Sequence, residues 1–308
     1  MNDVFDTKVY SPIHSVKTPL INQANVTISV KREDLLHPTI SGNKWRKLKY
    51  NLKNALDKNV ETIITFGGAF SNHIYSTASA CNKLGLKSVG IIRGDFDKNN
   101  PTTIFAQRCG MDLQFIDRTS YKEKENSDKI KAILSKYSNY ILIPEGGSNT
   151  LAEKGLEELS NEINETEHNI IMVSAGTGST AKAILQNLNP NKKLWVFSSL
   201  KSDYLKSEIL ETTDPIKHKQ LKFISAYHYG GYGKTPRELV HFINDFKVQS
   251  GITIDPIYNG KLIAGFSDMI ERNDINNSNS YLWIHTGGLQ GIDAYNYMAS
   301  KRNWPLIQ

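Results

Sequence analysis

The chain has 308 residues, 39% hydrophobic and 22% charged, a composition that fits a globular protein of about two domains. Its 37 basic and 31 acidic residues leave a net charge of +6 that is spread along the chain, so no nucleic-acid partner is expected. Two cysteines, Cys81 and Cys109, are too few for a disulfide framework, and the eight histidines lack ligand spacing, so no metal is expected.

The first six residues do not pair a basic start with an apolar run, and no apolar stretch approaches the length of a bilayer span. The expectation is a cytoplasmic protein with no membrane partner. From residue 61 onward, strand-like and helix-like stretches alternate. Residues 61–66 read as a strand ending at Gly67-Gly68, and residues 71–84 as an Ala-rich helix stopped by Gly85. A strand is expected at 87–92, a helix at 102–109 and a strand at 112–116. A helix follows at 122–136, a strand at 140–144, a helix at 149–163 capped by Ser148 or Asn149, and a strand at 169–173. After the turn at 175–180 a helix runs to about residue 188. Such alternation predicts parallel α/β units. The polar stretch 201–220 reads as the weakest for order, and the Asn/Ser-rich 273–280 as a loop.

Lys44 follows Ser41-Gly42-Asn43 at the expected first turn of a helix, after Lys31-Arg32-Glu33-Asp34. A lysine there opposes the helix dipole, and nearby positive potential lowers an amine pKa. That suits an amine that must lose its proton and attack a carbonyl, as in a Schiff base to pyridoxal 5'-phosphate. The turn Gly176-Thr177-Gly178-Ser179-Thr180 joins a strand to a helix. It reads as a phosphate cradle or as an ordinary tight turn, and it is neither a Walker loop nor a dinucleotide fingerprint. Ser71-Asn72-His73 reads as a helix cap or as a seat for a ligand carboxylate and a planar ring. The Gly-x-Ser-x-Gly pattern of a serine hydrolase is missing around Ser71. Tyr232, within Gly-Tyr-Gly, and Tyr258 reach a cleft or lie in surface loops. His285-Thr286-Gly287-Gly288 closes a strand in a donor-rich turn.

In this order the segments resemble the 1-aminocyclopropane-1-carboxylate deaminase / D-cysteine desulfhydrase family of tryptophan-synthase-β-like pyridoxal-phosphate enzymes. The elements that carry the likeness are K-R-E-D, S-G-N-K-x-R-K-L, G-G-x-x-S-N-H, G-T-G-S-T, D-P-x-Y-x-G-K and H-T-G-G. The resemblance implies two open, twisted, mostly parallel sheets flanked by helices, with the cofactor in the cleft between domains. Its large, cofactor-binding domain would span 1–46 and 155–308, and its small domain 47–154. Lys44 would hold the cofactor covalently, with Ser71, Tyr258 and Tyr232 as the other catalytic side chains. Asn43, Asn72, Gly176, Thr177, Gly178, Ser179, Thr180, Asn259 and Thr286 would bind the cofactor, and Ser71, Asn72 and His73 the substrate. A homodimer acting as a lyase, deaminase or hydrolase on a small amino acid is implied.

Three positions separate the branches of that family. Deaminases typically carry Glu after the tyrosine of D-P-x-Y-x-G-K, Leu in place of Thr in H-T-G-G, and Gln in place of the His of S-N-H. Here the residues are Asn259, Thr286 and His73; two favour the desulfhydrase branch and Asn259 fits neither. A carboxylate near the pyridine nitrogen would keep it protonated, whereas neutral groups leave a weaker electron sink. The expected reaction is therefore β-elimination from D-cysteine. Opening of the cyclopropane substrate is the alternative, and a non-catalytic cofactor-binding relative the reading from another class.

Overall fold

The computed structural model describes residues 4–5, 10–40 and 42–308; Ser41 of the motif before Lys44 lies outside them. In chain order the elements begin with β1 (Ile13–Ser15), α1 (Pro19–Gln23), β2 (Thr27–Lys31), α2 (Asn43–Asp57), β3 (Thr62–Gly68) and α3 (Asn72–Leu84). Next come β4 (Lys87–Arg93), α4 (Pro101–Arg108), β5 (Met111–Ile116), α5 (Arg118–Glu123), α6 (Asp128–Leu134), β6 (Tyr140–Ile143) and α7 (Thr150–Asn164). The chain continues with β7 (Ile170–Ala175), α8 (Ser179–Asn187), β8 (Lys193–Ser198), α9 (Tyr204–Glu211) and β9 (Leu221–Ile224). It ends with α10 (Arg237–Ser250), α11 (Asn259–Glu271), β10 (Ser280–Ile284) and α12 (Gln290–Ser300).

Two compact units emerge. One contains Lys44–Gly155 and His37–Ile40, with a four-stranded, wholly parallel sheet in the order β5-β4-β3-β6. Its central strand β3 reads Thr-Ile-Ile-Thr-Phe-Gly-Gly, buried on both faces at its first six residues, as a strand covered by helices must be. Ile64, Phe66, Val89, Ile91 and Ile130 pack on one side, and Ile74, Ala78, Ile92 and Ala106 on the other. The second unit contains Tyr10–Leu36 and Leu156–Gln308, with Gly42 and Asn43. Its six-stranded sheet has the order β1-β2-β10-β7-β8-β9, parallel except at the edge strand β1. The α/β class with mostly parallel sheets and flanking helices is as expected from the alternating pattern.

Two expectations are corrected. The single helix over 122–136 is broken: α5 stops at Glu123, a short 3₁₀ turn follows, and α6 starts at Asp128. The break falls at Lys124, whose φ of 52° cannot continue a right-handed helix. The stretch 201–220 is ordered rather than loose. It holds α9, anchored by buried Leu205 and Ile209 four residues apart, and a 3₁₀ turn at Pro215–Gln220.

Candidate active site

The second unit supplies an anion-binding turn. β7 runs into Gly176, and Gly178 in left-handed conformation (φ 75°) caps α8 without a side chain. Gly178 offers no capping side chain of its own, and the turn lies at the positive end of the helix dipole. Thr177 and Ser179 set their hydroxyls 3.4 Å apart at this mouth, and buried Thr180 accepts a 3.0 Å hydrogen bond from Asn43 Nδ2. A side chain at Gly176 would strike the Tyr258 ring, since its Cβ would sit 2.8 Å from Cε1. The tyrosine therefore closes over the turn. A phosphate group fits this arrangement of donors and missing side chains.

Tyr258 and Tyr232 meet with ring centroids 6.2 Å apart and hydroxyls at 3.5 Å. Burial, then the neighbouring phenol, pushes the Tyr258 hydroxyl well above the ordinary tyrosine range. The loop that carries Tyr232 is held by Lys261, a residue with no role in the sequence-based expectations. Its buried amine donates to the His228 and Gly231 carbonyls at 3.0 and 2.7 Å, and burial lowers its pKa to about 8.

Asn259 is wholly buried and bonded on every side. Its Oδ1 accepts from Trp283 Nε1 at 3.1 Å and from the Thr286 amide at 3.3 Å. Nδ2 reaches Asp255 Oδ1 at 2.6 Å, the Gly287 carbonyl at 3.1 Å and Thr286 Oγ1 at 3.3 Å. Asp255 also accepts from the amides of Ile257, Tyr258 and Asn259. Its carboxyl is raised above the ordinary range by burial, against the pull of those bonds.

The turn before Lys44 is built by the same unit. The Gly42 amide donates to the Glu33 carbonyl and the Asn43 amide to the Thr286 carbonyl. Gly42 (φ 64°) lies so close to Thr286 that a Cβ would sit 1.8 Å from its carbonyl oxygen. Lys31 pairs with Glu162 at 2.7 Å and Arg32 with Asp34 at 2.7 Å. The charged K-R-E-D run is thus the brace under the turn, and H-T-G-G is its lid.

In the first unit Lys44 is the second residue of α2. Its amine lies 3.3 Å from the Gly146 carbonyl and has a pKa lowered to about 8. Burial is the cause, which corrects the helix-dipole argument made from sequence. Lys47, one turn on and 1% exposed, donates to the same carbonyl at 3.0 Å. Its amine is pushed further down, by burial and then by the Lys44 charge. Neither Lys47 nor Gly146 was singled out in sequence; the available signal was Glu145-Gly146-Gly147, whose two glycines both take positive φ.

Ser71 is the N-cap of α3: its Oγ accepts from the amides of His73 and Ile74 at 3.2 and 3.3 Å. Asn72, half-buried, opens the helix. His73, expected at the substrate seat, instead turns its ring into the core and is 1% exposed. Thr65 gives its hydroxyl proton to the Ile143 carbonyl, so at 2.9 Å it accepts from His73 Nε2. That fixes the proton on Nε2, and buried Nδ1 has no partner among the described residues. Burial and the charges of Lys44 and Lys47 hold His73 well below the ordinary histidine range, hence neutral.

Among the described residues no His, Cys, Asp and Glu cluster could hold a metal, and no helix is long and apolar enough to cross a membrane. A family model described as pyridoxal-phosphate dependent enzyme matches residues 12–287. A Pyrococcus horikoshii protein provisionally named a 1-aminocyclopropane-1-carboxylate deaminase is 29% identical over 283 residues, 87% of this chain and 86% of its own. The bifunctional D-cysteine desulfhydrase/1-aminocyclopropane-1-carboxylate deaminase of Arabidopsis thaliana mitochondria is 29% identical over 96% of this chain and 80% of its own. D-cysteine desulfhydrase from Yersinia pestis is 26% identical over 87% of this chain and 88% of its own. Among solved structures, an ACC deaminase homologue superposes with a TM-score of 0.79 at 24% identity, covering 98% of this chain and 99% of that one. Deaminase and desulfhydrase are the activities in these names, so the hydrolase class expected from sequence falls away.

Proposed function

The chain belongs to the pyridoxal-phosphate-dependent enzyme family, and from that premise we propose that it eliminates the β-substituent of a small amino acid, D-cysteine, and that one water then displaces the amino group, yielding pyruvate, sulfide and ammonia. When bound, pyridoxal 5'-phosphate supplies the electron sink that steadies negative charge at the substrate α-carbon. Lys44, Asn43 and the turn at Gly176–Thr180 would hold it, with Asn72 against the ring.

The α-proton goes to Lys44. With a pKa of about 8 its amine is unprotonated in a useful fraction near neutral pH, which an ordinary lysine is not. Ser71 is the poorer base, because the His73 and Ile74 amides already occupy its oxygen. What it retains is a hydroxyl proton to donate, so it anchors the substrate carboxylate. Tyr258 keeps its phenolic proton throughout the neutral range and steadies the departing thiolate by donating a hydrogen bond to it, with Tyr232 beside it.

One observation carries the choice of substrate: Asn259 is neutral, buried and fully bonded, and it ties Thr286 as well. With no carboxylate offered at either position, the ring nitrogen is left without a counter-charge and the electron sink is weakened. Expelling thiolate asks less of that sink than opening a cyclopropane. The test is 2-oxo acid and sulfide release from D-cysteine, L-cysteine and 1-aminocyclopropane-1-carboxylate by the purified holoenzyme. D-cysteine is expected to lead in kcat/KM by about tenfold or more. A higher kcat/KM for the cyclopropane substrate would reverse the assignment.

A further inference from the structure

A second constellation lies in the first unit and uses none of the residues given roles above. A cavity of about 500 Å³ is lined by Arg93, Arg118, Tyr121, Lys122, Lys124 and Glu145. Arg93 ends β4, and Arg118 and Lys122 lie four residues apart, hence on one face of α5. Four cations therefore surround one carboxylate. Lys124 pairs with Glu145 at 2.6 Å, which leaves the charges of Arg93, Arg118 and Lys122 in excess.

Solvated basic residues on a surface would not require what surrounds them here. Lys124 adopts φ 52°, a backbone that a residue with a side chain rarely takes. That kink delivers its amine to 3.6 Å from the centre of the Tyr121 ring and 4.8 Å from that of Phe66. The Arg93 guanidinium lies 5.6 Å from the centre of the same Tyr121 ring. Tyr121 itself is 3% exposed. Its hydroxyl leans toward Glu145 but makes no hydrogen bond of full geometry, an uncommon state for a buried donor.

We propose that this cavity binds a small, multiply charged anion of the phosphate class, such as a phosphate ester or pyrophosphate. Two guanidinium groups offer forked donor pairs matched to phosphate oxygens, Lys122 adds a point charge, and the Tyr121 hydroxyl, held by no hydrogen bond of full geometry, can turn to the anion. The volume exceeds what a halide would fill. Glu145 immediately precedes Gly146, whose carbonyl meets the amines of Lys44 and Lys47, so one residue links the cavity to the reactive lysine.

Titration calorimetry of the cofactor-loaded enzyme, freed of excess cofactor, with sodium pyrophosphate at matched ionic strength in chloride tests this; the bound cofactor keeps the Gly176–Thr180 turn filled. One-to-one saturation is expected, weakened about tenfold or more by Arg118→Glu and by Lys122→Glu. Lys136→Glu, an exposed position outside the cavity, should bind as the parent does. Absence of saturable heat, or equal weakening by Lys136→Glu, would overturn the site. Citrate binding as tightly as pyrophosphate would overturn the phosphate assignment. Both cavity variants alter exposed side chains, and unchanged melting temperatures will show that the fold is intact.

Discussion

Replacing Lys44 with methionine keeps an unbranched apolar stem and deletes the ammonium, which isolates the energetic consequence of burying that amine. Desolvation takes its pKa from the ordinary 10.5 to about 8 in the folded chain. Below pH 8 folded and unfolded chains are both protonated, and the folded state bears the whole penalty, about 3 kcal/mol at 1.36 kcal/mol per tenfold. Between pH 8 and 10.5 the folded protein gives up its proton first. The unfolded state then binds more protons, and wild-type stability rises with pH until the penalty is gone above 10.5. Nothing is orphaned by the change, because the Gly146 carbonyl still accepts from Lys47 at 3.0 Å. Cofactor-free Lys44→Met should therefore be more stable than cofactor-free wild type by about 1–3 kcal/mol near neutral pH. The difference should close as pH approaches 10.5. Urea unfolding of both proteins across that range measures it. A methionine variant that is less stable at neutral pH, or a gap that ignores pH, would refute the burial argument. Added pyridoxal phosphate should give the variant no protein-bound shift in visible absorbance.

Asn259→Glu removes the amide hydrogens now given to Asp255 and Gly287 and sets a second carboxylate against the first. A loss of about 3 kcal/mol in urea unfolding is expected, with no gain in cyclopropane-opening activity; a stable variant with that activity would contradict the bonding account. Ser71→Ala should cost about 1 kcal/mol of stability through the lost cap and raise KM while the cofactor band persists. Ser71→Thr should restore the stability, and equal KM values for Ser71→Ala and wild type would remove the serine from the substrate seat.

What the sequence made legible was local in character. A strand buried on both faces is a continuous apolar run, as at Ile63-Ile64, and the glycines of the Gly176–Thr180 turn mark a strand passing into a helix. Lys44 was readable because Gly42 and Asn43 announce a tight turn. The cause of its low pKa was not, since burial depends on Gly146, a hundred residues away. Asn259 was readable only as an exception to a pattern. Its bond to Asp255 is one helical turn long, but those to Trp283, Thr286 and Gly287 come from a neighbouring strand end. The ordered stretch at 201–220 did carry a signal, Leu205 and Ile209 at helical spacing, that its polar composition obscured.

The saturated bonding of Asn259 also bears on how such a chain can diverge. Asp255, Asn259, Trp283 and Thr286 exchange hydrogen bonds so completely that a change at one withdraws a partner from the others. A carboxylate at position 259 has no amide hydrogens to give to Asp255 and Gly287, so it can sit beside Asp255 only where other donors take up the lost bonds. The four residues behave as one epistatic block. In this chain a change at position 259 is therefore coupled to its three neighbours, and a single substitution there carries a cost that a second one can offset.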